Sequence, residues 1–179
     1  RDNAAFTVWE GVGASIQYML FQQTIYPYNE TRIRQGIAAA LNRSNIASTV
    51  FEGTVDPLYS IIPAGMAYHD PAFDVYGEAN YTFTADCLDD FGYDASNKLV
   101  IELYYESSGH YPSSEAQATV YKSDLEASGV ITVNLNSADW PTYRQQRNAG
   151  TMDVFIYGWY PDFIDPDNYA FLPFASWLN

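Results

Sequence analysis

The sequence predicts an α/β fold, a mainly parallel sheet with helices on both faces. Two observations predict it. Short apolar runs of strand length, such as Val154-Phe155-Ile156-Tyr157, alternate with segments whose apolar residues recur at helical spacing. Glycine or proline punctuates the junctions, as at Pro27, Gly53, Gly129 and Gly150. Right-handed crossovers between parallel strands then place helices on both faces. The 179 residues fit a single domain, 1–179, long enough to bury a core, and carry no internal repeat.

The elements follow in order. Phe6 to Trp9 is a short strand candidate, broken by Gly11-Val12-Gly13. Ile16 to Gln22 is nearly all apolar and predicts a central strand. Asn29 or Thr31 starts a helix that Gly53 stops, with Ile33, Ile37, Ala40, Leu41 and Ile46 at helical spacing. Thr54 to Ala79 carries Tyr59, Tyr68, Phe73 and Tyr76; it is too long for an idle connection and should pack against the body or line a site. A short helix is predicted from about Thr84 to Phe91, and Lys98 to Tyr105 alternates as a strand. After the loop Ser107 to Pro112, Ser113 or Ser114 caps a helix, Glu115 to Ser128, with Ala116, Val120 and Leu125 facing inward. Val130 to Leu135 is a strand, about Trp140 to Asn148 a helix, and Asp153 to Tyr157 the last strand.

Composition narrows the function. The formal net charge is −14, a field that repels nucleic acid and anionic lipid headgroups. The acids are spread along the chain, so they read as a solvated surface, not an acidic tail. The one cysteine, Cys87, excludes an intrachain disulfide and a cysteine metal cluster, and reads as a buried structural thiol. His69 and His110 are far apart, which gives no support to a histidine metal site. With 16 Tyr, 10 Phe and 4 Trp the chain is strongly aromatic, which suits either an aromatic core or a ligand cleft walled by rings. Asn29-Glu30-Thr31, Asn42-Arg43-Ser44 and Asn80-Tyr81-Thr82 match the N-glycosylation pattern at a frequency little above chance. No apolar run approaches membrane-spanning length, and no segment reads as a secretory signal.

The densest chemistry lies in Gly158-Trp159-Tyr160-Pro161-Asp162-Phe163-Ile164-Asp165-Pro166-Asp167-Asn168-Tyr169. It follows an apolar strand, where open α/β sheets place their ligand sites. Pro161 and Pro166 predict a stiff, non-helical crossing. An Asp held there can accept from a ligand ammonium while Trp supplies a flat wall. The alternative is an acidic surface loop in an acidic protein.

Three segments together resemble the extracellular solute-binding proteins of peptide- and nickel-type ABC importers, over nearly the whole chain. The first is Tyr18-Met19-Leu20-Phe21-Gln22 followed by Pro27-Tyr28-Asn29 through Arg32-Ile33-Arg34-Gln35-Gly36-Ile37 to Asn42-Arg43, similar to the family's strand, proline turn and helix. The second is Asp86 to Phe91-Gly92-Tyr93 with the strand-helix-strand unit beyond it. The third is the Gly158 to Tyr169 run, similar to "G-W-x-x-D-x-x-D-P-D-N-F". Gly36 stands where the family usually has Ala, and Asn42 where it has Asp. Dipeptide members carry an Arg before the third helix for the ligand carboxylate; Ser107 to Gln117 holds no Arg or Lys, only His110.

The resemblance implies a lobe of the type II periplasmic-binding-protein kind, the second of two, with the first assembled from chain on either side. It implies capture of a peptide or other small solute outside the cytoplasm, by a protein membrane-anchored as a lipoprotein in its full length, and delivery to ABC permease subunits. It implies a monomer, no enzyme activity and no cofactor. The ligand-binding candidates are Asp162 for a peptide's α-ammonium, Trp159 and Tyr160 beside it, and His110 for a carboxylate. Each has a structural alternative: Asp162 as a turn or helix cap, Trp159 as a packing residue, His110 as a solvent-exposed loop residue. Asp165-Pro166 reads as structural, a cap with a fixed next residue. A non-peptide solute, such as an oligosaccharide or metal chelate, is the alternative cargo. Acid pairs such as Asp162 with Asp165, or Glu102 with Glu106, leave a glycoside hydrolase as a further class, and a cell-surface adhesion domain as another.

Overall fold

The computed structural model describes residues 13–174 together with Thr7 and Gly11, with side chains as far as residue 170. The elements are β1 (Ile16–Phe21), α1 (Thr31–Ala40), α2 (Arg43–Thr49), a 3-10 helix (Ala72–Tyr76), α3 (Tyr81–Asp89), β2 (Leu99–Glu106), α4 (Ser114–Ala127), β3 (Ile131–Ala138), α5 (Trp140–Asn148), β4 (Val154–Trp159) and α6 (Pro166–Phe174). The strand candidate at Phe6 to Trp9 falls outside the described residues, apart from Thr7.

The sheet order is β1-β4-β2-β3. β2 runs parallel to both β3 and β4, and β1 runs antiparallel to β4. The mainly parallel sheet is therefore as the sequence predicts. β1, however, lies at the edge of the sheet among the described strands, where the sequence predicts a central one. An apolar run records that both faces of a strand are covered; it does not say whether both edges are paired.

β3 lies on one side of β2 and β4 on the other, so right-handed crossovers send α4 and α5 to opposite faces. On one face, Ile33 and Ile37 of α1, Leu88 of α3, and Ala118 and Leu125 of α4 pack on Ile101, Leu103, Val133, Val154 and Ile156. On the other, the fully buried Tyr143 of α5 donates its hydroxyl to the Ile156 carbonyl.

Four local expectations are corrected. The helix predicted from Asn29 or Thr31 to Gly53 is two helices, parted at Leu41-Asn42. Asn42 caps α2 by accepting from Asn45 N, and its own N–H donates to the Asp124 carboxylate at 2.9 Å. A helix cap with a tertiary partner outcompetes a continuous helix there. α3 begins three residues earlier than Thr84, because Asn80 caps it through Phe83 N. In α4 the buried face is Ser114, Gln117, Ala118, Tyr121, Asp124 and Leu125; Ala116 is exposed. Ser113 precedes that helix in the left-handed region at φ 58° and makes no side-chain cap. The fourth correction falls in the acidic crossing: its second half, from Pro166, is helical. Pro166 fits at the first helical position, where a missing N–H costs nothing.

The long segment 54–79 does pack on the body. Tyr59 donates to Glu78 at 2.7 Å and carries Arg43 5.3 Å from its ring centre, and Gln35 of α1 donates to the Tyr76 hydroxyl. Two of the three glycosylation matches, at Asn42 and Asn80, use their side-chain oxygens as helix caps. Among the described residues no helix is long and apolar enough to cross a membrane.

Candidate functional site

The exits of β2 and β3 turn to opposite faces, which opens a crevice at the carboxyl ends of the parallel strands. Three loops meet there: 107–113 after β2, Asp139 before α5, and 160–165 after β4.

The β2 exit is organised by Glu106, which is 1 % exposed. Its carboxylate accepts from the Ser108 N–H and hydroxyl, from His110 N at 2.8 Å and from Tyr111 N at 3.4 Å. Burial acts to raise its pKa, but the Ser108 hydroxyl and these N–H groups together outweigh it and hold the carboxyl below its ordinary value. The loop curls around this charge. Ser107 N donates to Ala138 O and Trp140 N to the Ser108 hydroxyl, which ties the β2 exit to the β3 exit. An open cleft of about 420 Å³ lies beside it, lined by Ser107, Gly109, Tyr111, Ser113, Ser114 and Glu115 among others. None of its lining residues is basic.

An aromatic cluster crosses the crevice. His110 stacks on Trp140 with ring centres 3.6 Å apart, and Tyr111 meets both Trp140 (5.5 Å) and Tyr157 of β4 (5.6 Å) edge-on. Tyr18 of β1 joins Tyr157 at 6.1 Å. Arg147 of α5 lies 5.0 Å from the Tyr157 ring centre and donates to its hydroxyl. Burial pushes the Tyr111 hydroxyl well above its ordinary value, so it stays neutral.

The β4 exit carries the acidic crossing. Asn168, fully buried in the first turn of α6, accepts through Oδ1 from Trp159 Nε1 at 2.9 Å and from Asp162 N at 3.2 Å. Asp165 accepts from Asp167 N at 2.9 Å and so caps α6. Asp162 and Tyr160 are exposed, and the Asp162 carboxylate makes no hydrogen bond or ion pair with any described residue.

The structure thus holds Trp159, Tyr160 and Asp162 on one crossing. His110 sits on a separate loop against Trp140, with no ring contact or hydrogen bond to those three. Sequence reasoning missed Glu106 as loop organiser and Tyr111 and Asn168 as bridges, since each acts on residues distant in the chain. An acid at the last residue of a strand, before a loop rich in Ser and Gly, was the one available signal.

The acid pairs are otherwise engaged. Glu102 accepts from Asn134 and Asn136, Glu106 holds its loop, and Asp165 caps α6. Glu102 and Glu106, four residues apart on a strand, are separated by about 13 Å of backbone rise, beyond the ~5–9.5 Å of a glycosidase pair. Among the described residues no group of three His, Cys, Asp or Glu could hold a metal ion.

The pattern that defines the bacterial extracellular solute-binding proteins, family 5 Middle, matches residues 1–177. The chain belongs to this family. It is 28% identical over 148 residues to the periplasmic oligopeptide-binding protein OppA of Salmonella typhimurium, covering 80% of this chain and 26% of that protein. Among solved structures it resembles a Pseudoalteromonas dipeptide-binding protein in complex with Met-Leu, at a TM-score of 0.72, 23% identity, and 94% and 33% coverage of the two chains. It also resembles AgaA of A. tumefaciens in complex with agropinic acid, at a TM-score of 0.74, 25% identity, and 88% and 31% coverage. The chain spans about a quarter to a third of the length of these relatives. The α/β lobe expected from the sequence is thus the fold of this family's structures. The family is one of solute-binding proteins acting outside the cytoplasm.

Proposed function

We propose that the chain forms the second lobe of a two-lobed solute-binding protein that captures a peptide-like solute outside the cytoplasm and delivers it to ABC permease subunits. The full-length protein is a membrane-anchored monomer that acts by binding, without catalysis. The observation that carries this reading is the Asp162 carboxylate: exposed, without a hydrogen bond or ion pair among the described residues, and on the loop after β4 that Asn168 ties to Trp159. A peptide's α-ammonium supplies the missing partner, and lobe closure removes the competing water. Trp159 and Tyr160 form the wall beside it.

The distant end of the ligand runs toward His110 and the cleft at the β2 exit. That cleft has no basic residue and contains Glu115, so it suits a neutral or cationic group better than a terminal carboxylate. The flat His110–Trp140 stack favours a second reading, in which a ring-bearing solute such as an oligosaccharide lies on it.

The test is capture by the full-length protein from a library of unblocked di- to pentapeptides and from the same library N-acetylated, with bound species identified by mass spectrometry. Preferential retention of unblocked peptides supports the reading. Retention of neither library, with binding of oligosaccharides, replaces it with the second.

A further inference from the structure

We infer that Asn168 is the positioning residue of the amino-end site, fixing the Trp159 indole and the Asp162 backbone at a set separation through one shared oxygen. This rests on the proposed role of Asp162 and deepens it. To receive an ammonium, the Asp162 carboxylate must be left unbonded, and among the described residues it has no hydrogen bond or ion pair. No described residue therefore holds Asp162 by its side chain. What holds it is its backbone N–H, donated to Asn168 Oδ1 at 3.2 Å, behind the fixed φ of Pro161. The same oxygen takes the Trp159 indole N–H at 2.9 Å. The two donors stand at the two ends of the Trp159-Tyr160-Pro161-Asp162 crossing, so one acceptor closes it.

Both partners are donors, which fixes the amide orientation: the oxygen faces them. Asn168 Nδ2 is buried and finds no hydrogen-bond partner. The position therefore uses only an acceptor. Aspartate would supply one but would set a second negative charge beside Asp162. Leucine would fill the volume and supply none. Asparagine offers the acceptor without the charge. Asp165 and Pro166 act one step back, because the cap and the first helical position set the register that turns Asn168 toward β4.

The test uses the full-length protein, with the Trp159 indole resonance assigned by its loss in Trp159→Phe. Asn168→Leu is expected to shift that resonance and to weaken binding of captured unblocked peptides about tenfold or more, the scale of one lost hydrogen bond to a charged-ligand site. Asn168→Asp, which keeps the acceptor, is expected to keep the resonance and most of the affinity. Unchanged affinity in Asn168→Leu, or equal losses in both variants, overturns the inference. Should Asn168→Leu not fold, hydrogen exchange in the unmodified protein decides: the Trp159 indole and Asp162 amide protons should both exchange slowly, and rapid exchange of either overturns the inference. An unmodified protein that captures no unblocked peptide would instead overturn the functional reading on which the inference rests, a result visible before any variant is made.

Discussion

The Tyr111 ring lies so close over Gly158 that a Cβ at Gly158 would stand 2.7 Å from Tyr111 Cδ1. The glycine of the Gly-Trp pair is thus a matter of space, required where the β2 exit loop crosses the end of β4. Gly158→Ala should push Tyr111 off Tyr157 and Trp140 and destabilise the fold by about 1–3 kcal/mol, the usual scale of overpacking. Tyr111→Leu in the same chain should recover part of that loss, because neighbouring substitutions are not additive. Urea denaturation of the two single variants and the double variant measures both effects.

Asp162→Asn in the full-length protein should weaken unblocked peptides by one to two orders of magnitude, from the ~1.5–3 kcal/mol of a charge-assisted hydrogen bond. N-acetylated peptides should bind weakly to start with and lose little more. Trp159→Ala should weaken both kinds alike, since an apolar wall does not sense the charge. Titration calorimetry separates these outcomes; equal losses for both peptides on Asp162→Asn would make Asp162 a loop-shaping residue.

Glu106 and Asp124 should respond to acid with opposite signs. The Glu106 carboxyl is held below the ordinary 4.5 despite its burial, so its contribution is present above that value and lost as pH falls through the lower folded value. Burial raises the Asp124 carboxyl above the ordinary 3.8, so its contribution is present below that value and lost as pH rises through the folded one. Glu106→Gln should cost about 1–3 kcal/mol at neutral pH, by stranding the loop's N–H donors, and should weaken the dependence of stability on acid. Asp124→Asn keeps an acceptor for Asn42 N and should be neutral or stabilising at neutral pH. Thermal unfolding from pH 3 to pH 7 reads the two slopes.

Gly36 and Cys87 form the close approach of α1 and α3: a methyl on Gly36 would stand 2.8 Å from Cys87 Cβ. Gly36→Ala gains about 1 kcal/mol of helix propensity but should still lower stability, because backbone-proximal atoms cannot move aside. Cys87→Gly should relieve the clash in the double variant. Cys87 itself is fully buried, and burial raises its thiol pKa, so it should resist maleimide until the protein unfolds.

The isolated chain should bind any captured peptide far more weakly than the full-length protein, because one lobe offers only part of a closing cleft. Submicromolar affinity of residues 1–179 alone would contradict the two-lobed reading.

Alternating apolar runs and helical spacing are enough to predict three parallel strands and the helix Trp140 to Asn148, because those patterns are local and each element buries the face it displays. The family resemblance, too, was carried by short contiguous segments. Only the tertiary structure decided that β1 lies at the edge among the described strands, since both faces of an edge strand can be covered. It split the first helix at Asn42, where Asp124, far along the chain, accepts a backbone N–H that a continuous helix would have used. It also decided which residues surround the candidate site at Asp162. Glu106 gathers the N–H groups of its loop, Tyr111 lies over Gly158, and Asn168 ties Trp159 to Asp162. These are contacts between side chains and backbone on different elements. Their residue types fit many other roles, so spacing carries no trace of them; they exist only once the sheet order has brought the ends of β2 and β4 together.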